Sequence, residues 1–399
     1  MVKITGHDKI IKQLTFDKDT AEKESNRVTI VVKEYPPLYL LQNFASSVSA
    51  FIKSNKLEEI VDPLSFSKMI QDSFRKHKDD EKAIKAIKKE VDEFIDIEMK
   101  KTSTSFIVTT EVHGVDPGEE IVSLGDFKIA NCEKTKQLLT EEIPIVIKKG
   151  HIDNELIEGK IYISIKIVAK SSDLAFGIWK KQMEEFEYIF RLVLGTDTNG
   201  DLGVFNFLET KVSESIVLSD MGHKLYGELL QTNVAAIMLN DNFFKHPQII
   251  KLLSLVCKVK RSELENNIIK AGVWAGKALK ERDINIAIPE LSFGLETLLG
   301  NRSTSFTNPS IAFKTSSLGA FIYSEDYNER ISCKEQIKIF YKVRSKIVHG
   351  NDEIVEKKDF VEWVNIMRKI IFNLLSKEQF LHMATLKELD EWYDTKVLS

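Results

Sequence analysis

Cysteine is scarce in this 399-residue chain, and the three present, Cys132, Cys257 and Cys333, lie far apart with no CxxC pair and no Cys/His cluster. An odd, scattered set argues for reduced thiols in a cytosol and against a disulfide framework or a zinc knuckle. Glycine (18) and proline (8) are too few for a collagen-like or low-complexity chain. At 43% hydrophobic and 29% charged residues, the composition is that of a folded globular protein rather than a disordered one. No apolar run reaches the roughly 18 residues of a membrane span. The segment MVKITGHDKIIK lacks the apolar core of a secretion signal. A cytoplasmic location without membrane contact is therefore expected.

Arginine is also in short supply, at 9 against 47 lysines, and the net charge of -4 gives no bulk attraction to nucleic acid. Each arginine is therefore of separate interest. The chain holds no GxxxxGK phosphate loop, no GxGxxG after a strand, no HExxH and no GxSxG, which disfavours hydrolysis driven by ATP. Asp197 to Asp201 (DTNGD) has its glycine misplaced for a calcium loop and reads as a plain turn. Glu98-Met-Lys100 would need an acidic pair on adjacent strands to serve a metal-dependent nuclease, and its segment reads as helix. His7, His77, His151, His223, His246 and His382 have no partner at informative spacing, and His113 falls at a strand end. The spacings thus call for no metal and no cofactor.

What is present divides the chain in two. The length suggests two or three domains. In the first part, Val28 to Val32 reads as a strand, Pro37 to about Lys56 as helix, and Asp62 to Lys101 as a long charged helical region with a solvated face. From Thr104 to Ser172 the period changes to two in SFIVTTEVHGV, FKIANC, IPIVIKK and KIYISIKIVAK, which predicts an antiparallel sheet. Asp173 can cap a helix reaching Leu194, followed by a turn and a strand at Val204 to Leu208.

After about Asp220 strand signals vanish. Ser262 and Glu265 have capping-box spacing, followed by Leu264, Ile268, Ala271, Ala275 and Leu279 at helical intervals. Pro289 suits a first helical turn, with Leu291, Leu295, Leu298 and Leu299 inward and Gly300 as the stop. Beyond the polar loop NRSTSFTNPS, a helix from about Tyr327 to His349 carries Cys333, Ile337, Phe340 and Ile347 on one stripe. A further helix places Phe360, Trp363, Val364, Met367, Ile370 and Leu374 on one face. The expected architecture is an α+β domain over residues 1–220 with an antiparallel sheet, then an all-α bundle over residues 221–399.

One segment of the bundle carries chemistry. In Phe340 to Asp352 (FYKVRSKIVHGND), four residues separate Arg344 from His349, and His349 ends a helix stopped by Gly350. The C-terminal end of a helix carries roughly half a negative charge, which favours an imidazolium there. A histidine exchanges protons near neutrality, and an arginine one turn back offers forked donors to a phosphate. Such a pair can cleave RNA without metal: the base activates a ribose 2′-OH while the guanidinium stabilises charge on the phosphorus oxygens. Five positions place the two side chains roughly 140° apart on an ideal helix, so they converge only if His349 has left helical geometry. The plainer alternative is a surface arginine and a capping histidine.

YKVRSKIVHGND (Tyr341 to Asp352), the earlier helix FGLETLLGN (Phe293 to Asn301) and the order of helices resemble the Apea-like branch of the HEPN domains over about residues 240–399. That resemblance implies an HEPN-like bundle, a homodimer with two motifs facing across a composite cleft, and an endoribonuclease leaving a cyclic phosphate and a 5′-hydroxyl. It also implies an anti-phage defence or toxin-like role. Carried over, Arg344 is the phosphate clamp and His349 the acid/base; Glu296 orients one of them, or is a solvated carboxylate. Ser345 stands where many active members have Asn, Asp or His, and a hydroxyl carries no charge.

Residues 241–399 hold 24 Lys+Arg against 21 Asp+Glu, and the stretch Lys251 to Lys280 is locally basic. Lys342, Lys346, Asn351, Lys270 and Lys277 are the candidate RNA contacts, the bland alternative being solubilising charge. The expected partners are RNA, whether tRNA or a phage or host transcript, a second copy of the chain, and a phage-derived or small-molecule trigger at residues 1–220 acting as a sensor. The rival function is a non-catalytic HEPN module that dimerises and binds RNA or protein, with ligand sensing by the N-terminal domain.

Overall fold

The computed structural model describes residues 42–58, 60–77, 81–112, 114–143, 156–195, 214–219, 222–227, 237–239, 242–281, 283–300, 311–350 and 353–398. The expected strands at Val28 to Val32 and Val204 to Leu208, IPIVIKK beyond Ile143, the DTNGD turn, His113, the loop NRSTSFTNPS and Asn351 lie outside them. The elements run α1 Gln42–Ser54, α2 Pro63–His77, α3 Glu81–Lys100, β1 Thr104–Val112, β2 Val115–Asp116, β3 Val122–Leu124, β4 Phe127–Asn131, α4 Cys132–Glu142, β5 Ile161–Ala169, α5 Ser172–Leu194, β6 Glu214–Ser219, β7 Gly222–Gly227 and β8 Ile237–Met238. Among the described residues only helices then follow: α6 Pro247–Cys257, α7 Glu263–Lys280, α8 Ile284–Leu299, α9 Ile311–Tyr323, α10 Tyr327–Val348, α11 Lys357–Ser376, α12 Glu378–Leu381 and α13 Leu386–Leu398. An α+β region thus precedes a helical C-terminal part.

Two compact units share these elements. One comprises Met1–Val108, Lys166–Trp179 and Val217–Lys224, and the other Thr109–Ile165, Lys180–Ile216 and Leu225–Ser399, so β1, β5, α5, β6 and β7 contribute residues to both. In the first unit, α1 to α3 enclose Phe51, Ile52, Leu57, Phe66, Ile70, Ile87, Val91 and Ile95, with the Phe51 and Phe66 rings stacked at 5.4 Å. Asp62 starts α2 by accepting the Ser65 N–H at 2.7 Å, with Pro63 at the first helical position, where a missing N–H costs nothing. The Lys170 ammonium donates to the Glu98 and Met99 carbonyls, a cation placed where the α3 dipole is negative.

The sheet order is β3-β4-β5-β1-β6-β7, and β3, β4 and β5 pair antiparallel, with Ile129 opposite both Val122 and Ile163. The helical part of the second unit is built by close approach. Of the α7 stripe, Leu264, Ile268, Ala271 and Ala275 are buried and Leu279 is half-buried, and Gly276 comes so near α5 that a Cβ there would stand 2.1 Å from the Tyr188 carbonyl oxygen. The capping box is formed: the Ser262 side chain accepts the Glu265 N–H, and the Glu265 carboxylate accepts the Ser262 N–H at 2.8 Å. Cys333, Ile337 and Phe340 of α10 and Trp363, Val364, Met367, Ile370 and Leu374 of α11 are buried as their spacing predicts, whereas Ile347 and Phe360 are only half-buried.

Several expectations are corrected. The helical region from Asp62 to Lys101 is two helices, α2 and α3. The sheet-forming stretch is interrupted by α4, because the Asn131 side chain accepts the Lys134 N–H at 2.9 Å and starts a helix directly after β4. Ser171, not Asp173, caps α5, its hydroxyl accepting the Leu174 N–H at 3.1 Å. Strands do not end at Asp220: β7 follows, and β8 pairs parallel with β2. GHKLYG holds no β-branched residue and a two-residue strand has no period, so long-range pairing decides both. Pro289 is the sixth residue of α8, not its first turn, because Asp283 caps the helix earlier by accepting the Asn285 N–H at 2.9 Å.

Candidate functional site

The C-terminal end of α10 holds the residues that the sequence singles out. Asp326 starts the helix by accepting the Glu329 N–H at 2.9 Å, and the chain leaves it at His349, which is the C-cap with φ −88° and ψ 11°. The His349 N–H donates to the Ser345 and Lys346 carbonyls at 3.1 and 3.2 Å, and the Gly350 N–H donates to the Ile347 carbonyl at 2.9 Å. Gly350 then adopts φ +82°, a left-handed conformation that glycine takes without strain. His349 has thus left helical geometry, as convergence with Arg344 requires, and its side chain is exposed.

Arg344 turns to the neighbouring helix α8. Its Nε donates to Ser292 Oγ at 3.3 Å, and its Nη2 lies 3.6 Å from Glu296 Oε1. Both partners of the ion pair are about a quarter exposed, at 27% and 26% of their side chains. Among the described residues no hydrogen bond or ion pair joins Arg344 to His349. Burial pushes the Glu296 carboxyl above its ordinary pKa, and the Arg344 charge offsets only part of that. Burial likewise raises the Tyr341 phenol, with the Glu296 charge adding to the rise and Arg344 opposing it.

Of the remaining predicted residues, Ser345 and Lys342 are exposed, and Lys346 is also exposed but bonds Glu353 at 2.6 Å. Lys270 is exposed on α7, while Lys277 lies over the Trp274 and Tyr188 rings at 4.9 and 5.4 Å. The basic stretch from Lys251 to Lys280 is largely committed within the fold. Lys251 bonds the Leu375 carbonyl, Lys258 the Glu265 carboxylate and Arg261 the Glu185 carboxylate, at 2.6, 2.7 and 2.6 Å. Glu98 is helical as expected, and Lys101 bonds it at 2.6 Å.

Two contributors to the site were missed, Ser292 and Tyr341. Ser292 could have been found as the polar residue in an otherwise apolar inward face, four positions before Glu296 and so on the same side of α8. Tyr341 lies inside the motif but has the look of an ordinary core aromatic.

The guanidinium keeps its Nη1 group without a hydrogen-bond partner among the described residues, so it can still receive an anion. The His349 imidazole is open to solvent at the end of the same helix. No group of three or more His, Cys, Asp or Glu gathers to hold a metal among the described residues. None of their helices is long and apolar enough to cross a membrane. No family model, no curated protein and no solved structure matches the chain.

Proposed function

We propose that the chain is an endoribonuclease of the HEPN class, acting without metal in a phage-defence or toxin-like setting. Arg344 receives the scissile phosphate. His349 takes the proton of the ribose 2′-OH or returns one to the leaving 5′-oxygen, and the products are a cyclic phosphate and a 5′-hydroxyl. The reading is supported by an arginine held from one side and a solvent-facing histidine that caps the same helix end. A second copy of the chain would bring a second motif and cover Val348 and Ile354, which are 53% and 99% exposed beside the first.

The test is incubation of purified protein with total RNA in EDTA, beside Arg344→Ala and His349→Ala. Cutting by the natural sequence alone is expected. No cutting, or cutting that EDTA abolishes and the variants retain, overturns the reading.

A second reading is favoured by the Arg344 contacts themselves. A guanidinium bonded to Ser292 and facing Glu296 also serves as a tie between α8 and α10, as a non-catalytic module that binds RNA or protein would need. RNA binding kept intact in a folded His349→Ala protein that never cut would favour this alternative.

A further inference from the structure

Ser292 is fully buried in the inward face of α8, three residues after Pro289 and four before Glu296. Its hydroxyl makes two contacts of opposite sense. It donates to the Pro289 carbonyl at 2.7 Å and accepts from Arg344 Nε at 3.3 Å. A hydroxyl has one proton, so committing it to the carbonyl leaves only lone pairs facing the guanidinium. The direction of the chain of bonds is thereby fixed, from Arg344 through Ser292 to the backbone of α8.

We propose that Ser292 is a positioning residue that sets which edge of Arg344 faces a phosphate. A guanidinium has two forked edges: a side edge formed by Nε and Nη2, and an end edge formed by Nη1 and Nη2. Ser292 and Glu296 both meet the side edge, at Nε and Nη2. The end edge stays open to clamp two oxygens of a phosphodiester. Glu296 alone cannot fix this orientation, because a 3.6 Å ion pair about a quarter exposed lets the guanidinium pivot. The buried hydroxyl, tied down by the carbonyl of Pro289, supplies the second point. The functional consequence rests on the endoribonuclease reading, whereas the anchoring does not.

Amide-type NMR spectra of the arginine side chains separate the two. The chain has nine arginines, and the Arg344 Nε–H signal is the one lost in Arg344→Lys. In Ser292→Ala that proton should exchange with water about fivefold faster, the change in occupancy of one ordinary net hydrogen bond. Ser292→Thr, which keeps a hydroxyl able to reach the same carbonyl, should restore it. Thermal melts of each variant check the fold. On RNA, Ser292→Ala should lose a similar factor in kcat/KM with its pH profile unmoved, and Ser292→Thr should recover it. An Arg344 Nε–H unaltered by Ser292→Ala overturns the proposal whatever the nuclease assay gives. Faster exchange with undiminished cleavage overturns the positioning role. Faster exchange in a protein whose natural sequence never cuts RNA leaves the anchoring in place and overturns the endoribonuclease reading.

Discussion

Replacing Gly350 by alanine probes how α10 ends directly after the site. At φ +82° an L-residue is strained by roughly 1–2 kcal/mol, while the stiffer unfolded chain returns roughly 0.4–1 kcal/mol. A Cβ at this position would meet nothing within 4 Å, so no packing clash adds to the balance. The net loss is about 1 kcal/mol, which for a unit of this size lowers the melting temperature by about 2–4 °C. Gly350→Asn should lose less, because asparagine tolerates the left-handed region. Circular dichroism melts of the two variants and the natural sequence measure both. An alanine variant as stable as the natural sequence would show that residue 350 is not left-handed. A fall several times larger than expected would show a neighbour against it.

Gly276→Ala forces a Cβ onto the backbone of Tyr188, which cannot move aside like a side chain, and a urea melt should show a loss of about 1–3 kcal/mol despite alanine's better helix propensity; an unchanged midpoint would refute the close approach of α7 to α5. Because the folded pKa of Glu296 is raised by burial, the native state binds more protons there than the unfolded one, so this residue's contribution is present at low pH and is lost as pH rises from the ordinary carboxylate value through the raised one. The stability of Glu296→Gln relative to the natural sequence should therefore improve between about pH 4 and pH 7, and a constant or reversed difference in melting temperature would contradict the burial. Cys257 and Cys333, buried thiols pushed up to about 12, should resist iodoacetamide at neutral pH until the chain is unfolded, and rapid native labelling followed by mass spectrometry would count against their burial.

The helices that the sequence reveals are those whose signals are local. Ser262 and Glu265 lie three residues apart and cap one another, and the stripe Cys333, Ile337 and Phe340 follows the helical period, so both are readable without knowing the fold. The end of α10 is equally local, since Gly350 supplies its own left-handed turn. The misread elements depend on competition or distance. Pro289 looked like a helix start because proline suits that place, but Asp283 captured the start earlier and the bundle tolerates the missing backbone bond. β8 exists only because β2, more than 100 residues away, pairs with it.

The site shows the same division. Arg344 and His349 were legible from spacing and the helix stop. Glu296 as a partner of Arg344 came from the resemblance, and its 3.6 Å approach is a tertiary distance that no spacing encodes. Ser292 showed in the sequence only as a polar residue in an apolar helix face, and its role as a partner of Arg344 depends on the fold bringing α10 against it.

Mapping the ends of RNA broken after induced expression tests the nuclease role most directly, because it reports activity, substrate and end chemistry together. Fragments with cyclic phosphates and 5′-hydroxyls are expected from the natural sequence, and none above background from His349→Ala or Arg344→Ala. Intact RNA, 5′-phosphate ends, or the same fragments from a folded His349→Ala protein would contradict a phosphodiester broken between this arginine and this histidine.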